Sequence, residues 1–212
     1  MAGFSRSEKI GIIDYGAGNI GSVSNAIRYL GFTPFIIDKP ELLDKASKVI
    51  FPGVGAFGSV MTMLRTNEMD KALSGLISEG KPFLGICLGY QILFERSEET
   101  KNLSSAPLDR ERGLAVFKGD VVRFNSGKIP QIGWNEVVPT PSSEFIPKDF
   151  YYFVNSYYPV PRDRSIIAGK TQYGSVTFAS AIKSENVFAT QFHPEKSGLP
   201  GLLLLKRWLT QC

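Results

Sequence analysis

The stretch IGIIDYGAGNIGSV, Ile10 to Val23, carries the fold in miniature. An apolar run reads as a buried strand, glycines turn the chain, and helical spacing begins near Ser22. Gly16-Ala17-Gly18-Asn19-Ile20-Gly21 also matches G-x-G-x-x-G, and a second apolar run, Phe35-Ile36-Ile37, ends on Asp38. A dinucleotide-binding chain places its ribose-binding acid at about that distance. Against a nucleotide, Asp14 and Tyr15 separate the strand from the first glycine, where the fingerprint wants glycine at once. The stretch is therefore read as evidence for architecture, with no cofactor expected.

The same alternation runs through the first half. Strands are predicted over 9–13, 33–37, 48–51 and 81–86, and helices over 22–30, 41–46, 58–80 and 89–96. Strand alternating with helix implies crossover connections, hence parallel strands covered on both faces. From about Leu103 the texture changes to strands over 116–124, 134–138, 151–158, 166–173, 176–183 and 187–192, divided by Gly, Pro, Asn and Asp turns. Only 201–209 returns to helix. The expectation is one α/β domain over 1–212, a three-layer, mainly parallel sheet with antiparallel additions in its second half. Residues 1–8 are expected to form a flexible N-terminus.

A net charge of +4 without a dense Lys/Arg block points to neither nucleic acid nor membrane. MAGFSRSEK has no apolar core of a signal peptide, and the longest apolar run, Leu202 to Leu205, is too short to span a bilayer. Two cysteines make no disulfide framework and fit a reducing cytoplasm. With His193 the one histidine in the chain, donors for zinc are scarce, and no metal is expected.

Chemistry concentrates at the predicted strand ends. Gly85-Ile86-Cys87-Leu88-Gly89 lies between an apolar strand and a predicted helix, the nucleophile-elbow pattern with Cys in place of Ser. The flanking glycines allow a sharp turn, and the N-terminus of the following helix would favour thiolate at Cys87. The Leu88 N–H is placed to meet a developing oxyanion. A catalytic Cys needs a base, and His193 supplies the imidazole this chain has. Glu195, two residues on, points the same way in extended backbone and can orient it. Pro52-Gly53-Val54-Gly55-Ala56-Phe57-Gly58, after another strand, is the obvious source of a second oxyanion donor. Cys212, at the C-terminus, lacks such surroundings.

Gly85-Ile86-Cys87-Leu88-Gly89 together with Gln191-Phe192-His193-Pro194-Glu195 resembles the class I, triad-type glutamine amidotransferases. The stretches DYGAGNIGSV, PGVGAFG, GICLGYQILFERSEE, GWNEV, YYFVNSYY and QFHPEKS extend the likeness over nearly the whole chain. They look like the glutaminase subunits of imidazole glycerol phosphate synthases, from histidine biosynthesis. The resemblance implies a flavodoxin-like fold and a Cys87–His193–Glu195 triad that hydrolyses glutamine through a thioester. It implies an oxyanion hole from Leu88 and Gly55, the latter after a rearrangement of the 53–55 turn. Glutamine would be held by Gly53, Gln91, Glu99, Ser156 and Tyr157. Ammonia would pass to a (β/α)8-barrel synthase subunit, faced by Asn19, Trp134, Tyr152 and Lys196, with Gly18 beside Asn19 at that mouth. Two positions depart from the family pattern: Gln131 and Asn155 stand where histidines are usual. Both are read as lying toward the partner, so a paralogous glutaminase serving surface-sugar amidation is the alternative.

Overall fold

A computed structural model of the chain describes residues 8–16, 19–100, 112–141, 143 and 145–212. The expected flexible N-terminus falls, apart from Glu8, outside the described residues, as does Gly18. The first half gives strands β1 (Lys9–Ile13), β2 (Thr33–Ile37), β3 (Lys48–Gly53) and β4 (Phe83–Cys87). Helices α1 (Ile20–Tyr29), α2 (Phe57–Thr66) and α3 (Met69–Ser78) connect them, with a 3-10 turn over Pro40–Lys45. Then follow the short helix α4 (Leu88–Gln91) and the strands β5 (Phe94–Ser97), β6 (Phe117–Arg123), β7 (Gln131–Pro139) and β8 (Asp149–Asn155). Strands β9 (Tyr157–Pro161), β10 (Ile167–Tyr173), β11 (Val176–Ser184) and β12 (Val187–Thr190) precede the closing helix α5 (Gly198–Gln211).

Nine strands form one sheet in the order β2-β1-β3-β4-β12-β11-β10-β7-β8. From β2 to β12 neighbours are parallel, and from β12 to β8 they are antiparallel. Successive residues of the parallel strands feed opposite cores, as the strand period requires. Val49 and Phe51 pack with the α2 and α3 residues Leu64 and Leu73. Ile50 between them packs with Ile27 of α1 and Trp208 of α5. This is the predicted helix–sheet–helix layering. The ends of β1, β3, β4 and β12, which carry the unusual residues, are neighbours at one edge of the parallel region.

Three elements differ from the sequence reading. The helix expected over 58–80 breaks at Glu68, whose φ is 55°, because the apolar step from Leu64 to Met69 is five residues and falls off one helical face. The helix expected over 89–96 stops at Gln91, and Phe94 instead pairs with Phe117 in a second sheet, β5-β6-β9. The strand expected over 151–158 divides at Ser156: β8 edges the large sheet and β9 joins the small one. A chain that changes sheets keeps an unbroken apolar pattern, so periodicity does not reveal the break.

Candidate active site

Cys87 ends β4 with φ 54° and ψ −103°, a conformation an L-residue holds only when its surroundings force it. The forcing is visible in the glycines. A Cβ on Gly85 would lie 2.4 Å from the Gly89 oxygen, and one on Gly89 would lie 2.1 Å from the Phe51 oxygen. The turn thus folds flat against β3, and Gly53, paired with Cys87 across the sheet, lies equally close to Leu88. The helix after the elbow is four residues long, which corrects one part of the sequence reading. One turn sums few peptide dipoles, so the helix itself contributes little field at the sulfur.

His193 follows β12 and is 1% exposed. Its Nδ1 lies 2.8 Å from Glu195 Oε1, and the same oxygen accepts a hydrogen bond from Asn19 Nδ2 at 3.0 Å. Asn19 therefore braces the carboxylate from the start of α1, a contact across 176 residues that sequence spacing does not show. The His193 backbone is tied to β8: its N–H donates to the Tyr152 oxygen at 2.9 Å, and Ser197 Oγ bridges the His193 oxygen and the Tyr152 N–H. With Nδ1 engaged, Nε2 is the nitrogen that can exchange a proton. Nε2 lacks a hydrogen bond of ideal geometry, but it faces Cys87 closely enough for both charge and hydrogen-bonding interaction with the sulfur. Burial opposes the charged ring, but the ionised Cys87 sulfur and Glu195 outweigh it and push the His193 pKa up to about 10.

Beside the sulfur lies a cavity of about 260 Å³ lined by Val54, Gly55, Cys87, Leu88, Gln91, Glu99, Pro130, Val154, Asn155, Ser156 and Tyr157. It brings together Leu88, Gly55, Gln91, Glu99, Ser156 and Tyr157 from the sequence reading. Gly53 does not line it and sits behind, against Leu88. Among the described residues, Glu99 is the one acidic side chain of the wall, and none of the lining residues is cationic. Burial pushes the Glu99 carboxyl up, against the pull of a hydrogen bond from the Phe57 N–H at 2.6 Å.

Two residues escape sequence reasoning. Tyr15, in the opening stretch, donates its hydroxyl proton to the Val54 oxygen at 2.9 Å and accepts from the Val54 N–H at 2.8 Å. Stacked on Phe51 and desolvated, the phenol is pushed up to about 12 and stays protonated. Gln191, 0% exposed, directs its amide Nε2 at Cys87 Sγ, 3.5 Å away. Gln191 opens the Gln191-Phe192-His193-Pro194-Glu195 motif, but only the fold shows its side chain reaching the sulfur.

Trp134 and Lys196 are exposed, Asn19 and Tyr152 partly so, and Trp134 and Tyr152 meet edge to face across β7 and β8. Gln131 and Asn155, read as facing the partner, are instead 0% and 6% exposed and stand opposite each other in the β7–β8 register. The alternation of the pleat turns them inward while Ile132 and Trp134 turn out. In the opening stretch, the Gly16 N–H donates to Asp14 Oδ1 at 2.7 Å, so an anionic side chain occupies a donor that a phosphate would use.

The class-I glutamine amidotransferase model matches residues 11–211. The imidazole glycerol phosphate synthase subunit HisH of Thermosynechococcus vestitus is 43% identical, over 94% of this chain and 95% of its own. HisH of Methanothermobacter thermautotrophicus is 41% identical, over 94% and 97%. Among solved structures, PurLQS from Thermotoga maritima superposes with a TM-score of 0.73 at 19% identity, covering 96% of this chain and 98% of that one. A strained Cys at a glycine elbow, with His193 and Glu195 behind it, therefore sits in a chain that belongs to the class-I glutamine amidotransferases.

Proposed function

We propose that this chain is the glutaminase subunit of an imidazole glycerol phosphate synthase, acting as one domain in the cytoplasm without metal or cofactor. The observation that carries the chemistry is the Cys87 elbow at the cavity wall, with His193 held by Glu195 behind it. The thiolate of Cys87 adds to the carboxamide carbon of glutamine, and the carbonyl π-electrons move to oxygen. The Leu88 N–H, joined by Gly55, receives that oxyanion. As the intermediate collapses, the C–N bond breaks and His193 gives its proton to the departing nitrogen, releasing ammonia and leaving a γ-glutamyl thioester. His193 then takes a proton from water, whose oxygen attacks the thioester. Glutamate leaves and the thiolate–imidazolium pair returns.

Glu99 suits the α-ammonium of the substrate, since it places a carboxylate on the cavity wall. Gln91 and the backbone of Ser156 and Tyr157 complete the grip, as in the family. Tyr15 holds both polar groups of Val54, which fixes the 53–55 turn in one arrangement. A turn that must move before Gly55 can donate makes hydrolysis responsive to a partner.

That partner is a (β/α)8-barrel synthase subunit. Ile132, Trp134 and Phe150 are each more than half exposed on one face of β7–β8, with Val154 of the cavity wall opposite Ile132. An apolar patch joined to the cavity mouth suits a docked subunit that receives ammonia before water protonates it. HisH relatives near 40% identity across the chain favour the histidine pathway over surface-sugar amidation. The deciding measurement is glutamate release from glutamine with and without the barrel subunit. Activity should rise on mixing and fall by at least about 10³-fold in Cys87→Ser. Activity surviving that substitution would refute the mechanism.

A further inference from the structure

We infer that Gln191 is a dedicated hydrogen-bond donor to the Cys87 sulfur, held in its donating orientation by Gln91, and that it lowers the pH at which the thiol ionises. The inference rests on Cys87 being the nucleophile and adds a group to its machinery.

The orientation follows from a chain of constraints. The Tyr157 backbone oxygen can only accept, and it lies 3.1 Å from Gln91 Nε2 and 3.0 Å from Asn155 Nδ2. Gln91 must therefore present its NH2 end there. That NH2 also lies 3.2 Å from the Gln191 amide, which must answer with its oxygen. The NH2 of Gln191 is then left facing Cys87 Sγ at 3.5 Å. Gln191 is wholly buried and its backbone N–H is bonded to the Ser180 oxygen, so the side chain has little freedom to turn away.

The sulfur needs such a donor. The helix behind it is a single turn, and on its other side the Val154 carbonyl oxygen stands 3.8 Å away, an acceptor that disfavours negative charge. Among the described residues, His193 from the end of β12 and Tyr15 from the end of β1 interact with the sulfur, and Glu99 shares the cavity wall with it. Tyr15 is neutral, so His193 is the charged partner of the sulfur and Gln191 supplies a second, uncharged donor. An N–H donated to an anion strengthens as the thiol ionises, and it weakens again when the sulfur becomes a neutral thioester. Gln91 belongs to the glutamine pocket as well, so the same amide chain joins the substrate site to the nucleophile.

The test is the pH dependence of Cys87 alkylation by iodoacetamide, in which the thiolate forms an S–C bond and iodide leaves. It is read in a Cys212→Ser background so that one thiol reports. Gln191→Met keeps the volume and removes the donor. The midpoint should rise by about one pH unit, making alkylation about ten-fold slower below the midpoint and leaving the rates similar above it. A folded Gln191→Met chain with an unchanged midpoint overturns the inference, even if its thermal stability falls. Should that variant not fold, Gln91→Met decides. Freeing the Gln191 amide should raise the midpoint in the same direction by a smaller amount, and no rise overturns the inference. Alkylation requires no glutamine, so this result stands apart from the glutaminase assay.

Discussion

Cys87 concentrates three demands on one residue: a positive φ, a buried position and a nucleophile's sulfur. Each is costly alone, and each is met by a different neighbour. The strain is held by flanking glycines, the burial by the strand end, and the sulfur is met by His193 and Gln191. Because the chain has one histidine, its titration can be followed by NMR without assignment. The ring is expected to remain imidazolium beyond pH 8 and to titrate near 10, and Glu195→Gln should lower that midpoint. A His whose folded pKa exceeds its unfolded value of about 6.5 contributes fully below that pH and loses the contribution as pH rises through its folded pKa. A wild-type ring that titrates near pH 6.5 would contradict the thiolate–imidazolium pair.

At the scale of the element, two similar strand–glycine–helix turns behave differently. In the turn after β4, a Cβ at Gly89 would run into the Phe51 backbone oxygen. Gly89→Ala should therefore cost about 3 kcal/mol and abolish glutaminase activity, seen as a lower melting temperature and no glutamate release. In the turn after β1, a Cβ at Gly21 would meet nothing within 4 Å. In a dinucleotide fold that third glycine allows helix and strand to pack closely, and here it has no such duty. Gly21→Ala should stabilise α1 by up to about 1 kcal/mol, raising the melting temperature while activity persists. The strand and turn positions of both elements are readable from residues alone, because apolar runs and glycines are local signals. The length of α4 is not, because Phe94 can continue a helix or pair with Phe117, and tertiary contact selects the second.

Across the whole molecule, the parallel strands present Cys87 and His193, and the antiparallel extension completes the cavity wall with Val154 and Asn155 and carries the face proposed for the partner. Trp134→Glu places a charge on an exposed apolar face without disturbing the core. It should leave the melting temperature within a degree or two of wild type, while weakening partner-stimulated glutamate release by about ten-fold. Stimulation unchanged from wild type would move the docking face elsewhere. By itself the sequence determined the α/β alternation and the glycine elbow at Cys87, and it pointed to His193 and Glu195 as the partners proposed for that thiol, because these rest on residue type, short spacing and the scarcity of histidine. Tertiary structure decided that Asn19 braces Glu195, that Tyr15 holds Val54, that Gln191 meets the sulfur, and that Gln131 and Asn155 turn inward. Each of these contacts joins residues distant in sequence or depends on strand register. Both are set when the sheet closes, and no local pattern encodes them.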